Sequence, residues 1–420
     1  MEMTCRGIAK ACRGIATHMD TAMPRHAITM RVSRSPTMRP CIAQDMPTTT
    51  TNTDDEIDDA SPGWDSISAR LAQLYPGQEP KHFGTIIKYM LGGPDPLDGI
   101  SAWRRTDPVS HWHFVTYGFS ELYAKESDDP EVSGCGFELT FRLAIAPGST
   151  EAADADAEPP VWALNFLQNL ARYVFQSGNV FRDGDWMTAN GPIALGQATQ
   201  ICSMGFATDP ELAEPLATPN GSVAFLQVVG LTLDEERAAK RWRTRNLLDA
   251  LLPHMPLWIT DLGRASLLAH PAVKQQVDEG LRRDGSSSGF LFTDVLGLQQ
   301  SKRLLRKPLT QVTLGARQVD ELVALLPLRL PFGRTLRVAG HEWQLLLEPA
   351  GTDGQNAVEW QSEGEGGVVL RLTDATVQQF AQTLQPREGS YVLPLLPGVE
   401  WRVEKTTIKD STGKVVDVIG

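Results

Sequence analysis

No stretch of this 420-residue sequence reaches about 18 consecutive apolar residues, so no transmembrane helix is expected and no membrane partner is implied. Cysteine is scarce. Of five, Cys5, Cys12 and Cys41 lie in the first 44 residues, which leaves Cys135 and Cys202, and no pair has C-x-x-C spacing. That excludes a disulfide framework and points to a reducing, cytoplasmic setting. A P-loop, a dinucleotide-binding glycine fingerprint and an H-E-x-x-H pair are all missing, so no cofactor or catalytic metal is expected. Basic charge is in deficit too, with 39 Lys and Arg against 51 Asp and Glu, a formal charge of −12. Residues 1–44 hold seven of the basic residues and only Glu2 and Asp20, so the remainder carries 32 basic and 49 acidic residues, a net of −17. A body this acidic repels phosphate backbones, which argues against nucleic acid as a partner. It suits a basic protein partner, and it also serves solubility.

What is present, 41% hydrophobic and 21% charged residues, is the composition of a globular protein of two or three domains. Residues 1–60 stand apart: CRGIAKA is followed by CRGIAT, and seven of eleven methionines fall between Met1 and Met46. This segment reads as a disordered or mis-assigned N-terminal tail, although its Arg-rich, acid-poor composition is also that of a transit peptide. The first folded element is a helix after Ser61-Pro62, with Trp64, Ile67, Leu71 and Leu74 on one face. FGTIIKYM (Phe83 to Met90), HWHFVTYGFS (from His111) and GFELTFRLAIA (from Gly136) read as strands. Residues 147–160 form an acidic low-complexity loop, and Pro159-Pro160 opens a helix from Val161 to Gln176. On it Leu164, Leu167, Ala171 and Val174 share a core face.

Val223 to Thr232 is apolar throughout and reads as a central strand, followed by a capping box, Thr232 with Glu235, for a helix reaching about Leu252. Pro271 to Arg283 is a further amphipathic helix. Strands are expected at Leu325 to Leu330 and Glu342 to Leu347, then a strand and helix across Leu370 to Leu384. The resulting fold class is α+β: two domains with mixed β-sheets flanked by helices and a cleft between them. The expected division is a tail at 1–60, an N-terminal domain at 61–290, a connector at 291–310 and a C-terminal α+β domain at 311–420.

Catalytic motifs find little support. Gly285-Ser286-Ser287-Ser288-Gly289 matches G-x-S-x-G, but a nucleophile elbow needs a strand before it and a helix after, and the order here is reversed. A flexible Ser/Gly turn is the plainer reading, and a hydrolase built on Ser287 or a histidine is the remote one. His111 and His113 share a strand face, as a metal pair would, yet no third ligand follows at motif spacing. They read as packing residues, and Cys135, between two glycines, as a packed thiol. Asp185, in FRDGDW after the helix that carries Tyr173, has two readings. It is a turn residue capping its own backbone, or a carboxylate beside aromatic groups that binds an incoming cation or imidazole.

Seven runs in one order carry a family resemblance: GGPDPLD (Gly92 to Asp98), HWHFVTYGFSELY, GCGFELTFRL, VWALNFLQNLARYVFQSGNVFRDGDW, ATPNGSVAFLQVVGLT, LWITDLGR (Leu257 to Arg264) and VDEGLRRDGSSSG. They resemble the Suppressor of fused family, densely over residues 64 to 290 and thinly to about 405. The resemblance implies a protein- or peptide-binding module and not an enzyme, of the compact, bacterial kind. Animal members grip a short peptide of Hedgehog-pathway zinc-finger transcription factors as an added β-strand in the inter-domain cleft. The matching residues here are Tyr173 and Asp185, with Leu325 as the best match for a leucine of the second domain. Animal members also carry a long charged insertion before the C-terminal domain, which this chain lacks. Compact relatives include bacterial proteins thought to act as immunity factors, so stoichiometric neutralisation of a toxin domain is the second expectation.

Overall fold

The computed structural model describes residues 60–420 apart from 87, 88, 90, 91, 155, 190, 304, 305, 362–365 and 410–414. The expected tail at 1–60 therefore lies almost wholly outside the described residues. No described helix is long and apolar enough to cross a membrane. The chain divides into two compact units. The first holds the described chain up to Glu236 together with Leu247–Val273; the second holds Arg237–Asn246 and Lys274–Gly420.

The first unit is built on one sheet. Its strands are β1 (Lys81–Gly84), β2 (Gly99–Arg105), β3 (His111–Tyr117), β4 (Val132–Ala144), β5 (Trp186–Thr188), β6 (Ile201–Thr208), β7 (Leu216–Thr218) and β8 (Gly221–Thr232), in the order β1-β2-β3-β4-β8-β6-β5 with β7 beside β8. The β4–β8 pairing is parallel and the others are antiparallel, so the sheet is mixed. Helix α1 (Pro62–Leu74) covers one face and α3 (Val161–Ser177) the other. Alternation on the strands follows from this. On β3, Trp112 and Phe114 enter the α3 core while Val115 and Tyr117 join Ile67, Leu71 and Tyr75 under α1. Because both faces are covered, every residue of β3 is buried.

Helix α3 buries Ala163, Phe166, Leu167, Leu170, Ala171 and Val174, while Leu164 packs only partly. The acidic loop is more ordered than its composition suggests. It holds a short helix, α2 (Thr150–Ala153), whose start is capped by Ser149 and whose Glu151 and Ala152 carbonyls accept from Arg104 of β2. The capping box after β8 is half made: Glu235 accepts from the Thr232 N–H at 2.9 Å, but the Thr232 hydroxyl goes to Asp234. The single helix expected there is two, α4 (Leu233–Arg241) and α5 (Thr244–Leu251).

Helix α6 (Pro271–Asp284), in the second unit from Lys274 on, precedes two sheets. Strand β9 (Phe290–Phe292) belongs to the larger of them; the smaller comprises β10 (Leu296–Arg303), β11 (Arg306–Gly315), β16 (Gly389–Val392) and β17 (Val399–Glu404) in the order β10-β11-β17-β16. The other runs β14-β15-β13-β12-β9, with β12 (Leu336–Ala339), β13 (Gln344–Pro349), β14 (Ala357–Gln361) and β15 (Gly367–Leu372). Helices α7 (Ala316–Leu325) and α8 (Asp374–Thr383) contribute to a core with Trp401 and Leu370 at its centre. A hairpin, β18 (Thr406–Lys409) and β19 (Val415–Ile419), follows.

Two expectations change here. Residues 291–310, expected as a connector, contribute the end of β9, all of β10 and the start of β11 to these sheets. The strand expected at Leu325 to Leu330 is helical: α7 ends at Leu325, and 3-10 turns follow at Leu326–Leu328 and Leu330–Phe332. A short leucine-rich run broken by Pro327 and Arg329 has too little period to separate strand from helix, and Pro327 and Pro331 at helix-start positions favour the turns.

Candidate partner-binding site

Helix α3 stops at Gly178, which takes the left-handed conformation (φ 70°) that glycine adopts without a Cβ penalty. The chain then returns to the sheet through 179–185, and two polar devices fix that return. Ser177 Oγ donates to the Tyr173 carbonyl and accepts from the Asn179 N–H, while Asn179 Nδ2 donates to the Tyr173 hydroxyl at 2.9 Å. The Tyr173 ring stacks on Phe181 at 5.7 Å between centroids, and Phe181 stacks in turn on Phe206 of β6 at 4.1 Å.

Arg182 to Asp185 then makes a turn in which the Asp185 N–H donates to the Arg182 carbonyl at 3.0 Å. The Asp185 carboxylate accepts from the Arg182 N–H at 2.9 Å, and Gly184 supplies the positive φ the turn needs (87°). Main-chain bonds from Gly184 to Phe206 and from Phe206 to Asp185, 2.8 and 2.9 Å, place Asp185 at the head of β5, the last strand in the order. Its neighbour Asp183 accepts from the Thr208 N–H.

Tyr173 and Asp185 are thus linked indirectly, Tyr173 by its ring through Phe181 to Phe206 and Asp185 by its main-chain bond to Phe206, and both stay partly exposed. Burial pushes the Asp185 carboxyl above the usual aspartate value and the charge of Asp183 adds to this, while the Arg182 N–H and guanidinium pull it down. The carboxylate both caps its own turn and is partly desolvated. Leu325 has a different setting. It closes α7 inside the core of the second unit and is 4% exposed.

The other candidates resolve into structural roles. His111 and His113 are fully buried: His111 Nδ1 lies 2.7 Å from the Val109 carbonyl, and His113 Nδ1 bonds the Tyr75 hydroxyl. Among the described residues no group of three or more His, Cys, Asp or Glu could hold a metal. The G-x-S-x-G turn follows α6 and precedes β9, the reverse of an elbow, and the Ser287 hydroxyl donates to the Trp242 carbonyl at 2.8 Å.

One feature was missed by the alternation in GFELTFRL, which assigns Glu138, Thr140 and Arg142 to a polar face. That face lies under α1 and all three are fully buried. Arg142 Nη1 donates to Asp209 at 2.6 Å and to Gln227, and its Nη2 to Glu211 at 2.7 Å. Thr140 Oγ1 also donates to Asp209, and His113 Nε2 faces the same carboxylate at 3.4 Å, short of a formed hydrogen bond. Arg142 holds the Asp209 carboxyl well below the usual carboxylate range against the opposing effect of burial. A strand whose two faces are both covered was the available signal, since its polar residues must then be buried and paired.

Against known proteins, residues 93–265 match the Suppressor of fused protein (SUFU) family. The human and mouse Suppressor of fused homologs are each 37% identical over 244 residues, 54% of this chain and 48% of theirs. The chain thus spans about half the length of these curated relatives. The crystal structure of Drosophila Suppressor of Fused has a TM-score of 0.68 at 22% identity, covering 82% of this chain and 97% of that one, and shows the shared fold. The crystal structure of a Sufu–Fu complex contains a chain 33% identical, covering 52% of this chain and 97% of that one, at a TM-score of 0.48. An α+β protein with several mixed sheets and a buried polar network is the class that the fold defines. Within it, the chain is similar to Suppressor of fused proteins over about half of its length.

Proposed function

We propose that this protein is a non-enzymatic binding module that takes an extended partner peptide, with Tyr173 and Asp185 as its grip. The observation that carries the reading is the placement of a partly desolvated carboxylate at the head of β5, linked through Phe206 and Phe181 to Tyr173. Low local dielectric strengthens the pull of such a group on a cationic or imidazole side chain. Strand addition would supply main-chain affinity, and the Tyr173–Asp185 site would supply the side-chain choice. Similarity to Suppressor of fused proteins favours a protein partner, and a Sufu protein is known in a complex with Fu. Leu325 enters as the third contact through the family resemblance alone; its burial makes it a core leucine first.

The test uses Asp185→Asn, which keeps an oxygen to accept from the Arg182 N–H while removing the charge. Binding to a partner purified by capture on the folded chain should weaken by about 2–5 kcal/mol, with the urea midpoint nearly unchanged. The turn-capping reading alone gives the reverse for Asp185→Ala: a stability loss of about 1 kcal/mol and unaltered binding. Partner affinity retained in Asp185→Asn would remove this site from the interface.

A further inference from the structure

The Gly285–Gly289 turn plays no part in the site above, yet the second unit arranges charge around it in a way that structure alone does not require. Its serines have plain duties: Ser287 Oγ and Ser288 Oγ donate to the Trp242 and Lys240 carbonyls, at 2.8 and 2.5 Å, at the end of α4. The arginines do not. Arg329, between two 3-10 turns, is only 8% exposed. Its Nε donates to the Thr335 carbonyl at 2.7 Å and its Nη1 to the Ser286 carbonyl at 2.9 Å. Arg334 Nη1 donates to that same Ser286 carbonyl at 2.9 Å and to the Asp284 carbonyl at 2.8 Å.

Two guanidinium groups therefore converge on one neutral oxygen. Among the described residues neither has a carboxylate within ion-pairing distance. The Asp284 carboxylate is engaged elsewhere, by Arg283, Trp242 and Asn246. A cation more than nine-tenths buried without a counter-ion is costly, and a second cation beside it raises the cost. Burial presses the Arg329 pKa below the ordinary arginine value, Arg334 adds to this, and no nearby acid opposes it.

The remaining donors are those a ligand would use. Arg329 Nη2, and Arg334 Nε and Nη2, make no hydrogen bond among the described residues. Gly289 lies so close to Arg329 that a Cβ there would stand 2.8 Å from Nη2, so glycine keeps that edge of the guanidinium uncovered. The adjoining segment Arg237–Asn246 has five basic residues and no acidic one, a local reversal of the chain's negative charge. We infer that Arg329 and Arg334, at the Gly285–Gly289 turn, form a binding site for an oxyanion of the phosphate class. Planar forks of N–H donors match tetrahedral oxyanions, and both Nη1 atoms lie 2.9 Å from one oxygen, so a single anion can reach both groups.

The experiment is isothermal titration calorimetry on the full chain at constant ionic strength, with inorganic phosphate in one arm, O-phosphoserine in a second and chloride as the screening control. One-to-one saturable binding of phosphate or phosphoserine, with no matching response to chloride, is expected. The tighter arm identifies the free anion or the phosphate monoester as the source. Arg334→Gln, at a half-buried position, should weaken that binding about tenfold or more with an unchanged circular dichroism spectrum. Arg329→Lys, which keeps a charge but loses the fork, should weaken it as well if the variant folds. No saturable response beyond chloride, or Arg334→Gln binding as tightly as the parent, overturns the site.

Discussion

Glu138 is fully buried, and four donors meet its carboxyl group: the Thr116 and Ser120 hydroxyls and the Gly118 and Ser120 amides, at 2.6–3.0 Å. Burial outweighs these donors and raises its pKa from 4.5 to about 7. The folded state therefore keeps the proton that the unfolded chain releases. This contribution to stability is complete below about pH 4.5 and is lost as the pH rises through about 7. His113 runs the other way. Burial and Arg142 lower its pKa from 6.5 to about 4, so its contribution is present above about 6.5 and is lost as the pH falls through about 4. Between pH 4.5 and 6.5 the two slopes oppose each other. Removing Glu138 takes away the falling slope: in that window Glu138→Gln should gain more stability with rising pH than the parent does, by up to about 1.4 kcal/mol per unit, with His82 and His111, also lowered by burial, adding to the His113 slope in both proteins. Urea midpoints at pH 5 and 6.5 measure the difference. A variant with the same pH slope as the parent would mean that Glu138 is ionised in the fold.

At the scale of elements, Gly280 on α6 shows how one contact fixes a helix. An ideal Cβ at this position would stand 2.0 Å from the Trp242 ring, and Trp242 is itself buried with its indole N–H on Asp284. Gly280→Ala gains helix propensity of about 1 kcal/mol, but overpacking a fixed ring costs about 1–3 kcal/mol. At so short a distance the clash should win, and the variant should unfold at a lower urea concentration. A stabilised variant would show that Trp242 can move aside. This contact was not legible in the sequence, because nothing marks Gly280 and Trp242 as neighbours. The elements with a clear period were legible: α1 through Ile67 and Leu71, α3 through Leu167, Ala171 and Val174, and β3 and β4 through their alternation. The helical course of Leu326 to Phe332 was hidden by a short leucine-rich run with too little period. Glu138 and Arg142 were hidden because alternation reports two faces without saying that both are covered. Asp185 was visible as an oddity of composition, but its contact with the Arg182 amide and its main-chain bond to Phe206, on which the Tyr173–Phe181 stack ends, depend on the path from Gly178 to β5.

At the scale of the molecule, chain order and unit membership do not coincide. The chain leaves the first unit after Glu236, returns at Leu247 and leaves again after Val273. All three crossings fall inside helices: α4 begins in the first unit and ends in the second, α5 does the reverse, and α6 has its first three residues, Pro271–Val273, in the first unit. A helix ladder is cooperative, so half of a nine- or eight-residue helix is not stable by itself. Unfolding either unit should therefore strip the other of part of a helix, although two separate cores would otherwise allow independent transitions. We expect one calorimetric transition for the intact chain. Leu167→Ala in the α3 core and Leu370→Ala in the β15 core each empty a fully buried site and should cost about 2–5 kcal/mol. If the units are coupled, both substitutions move the same peak to lower temperature without splitting it. Two resolved peaks, each answering only to the substitution in its own core, would show that α4 and α5 tear at the crossing with little cost.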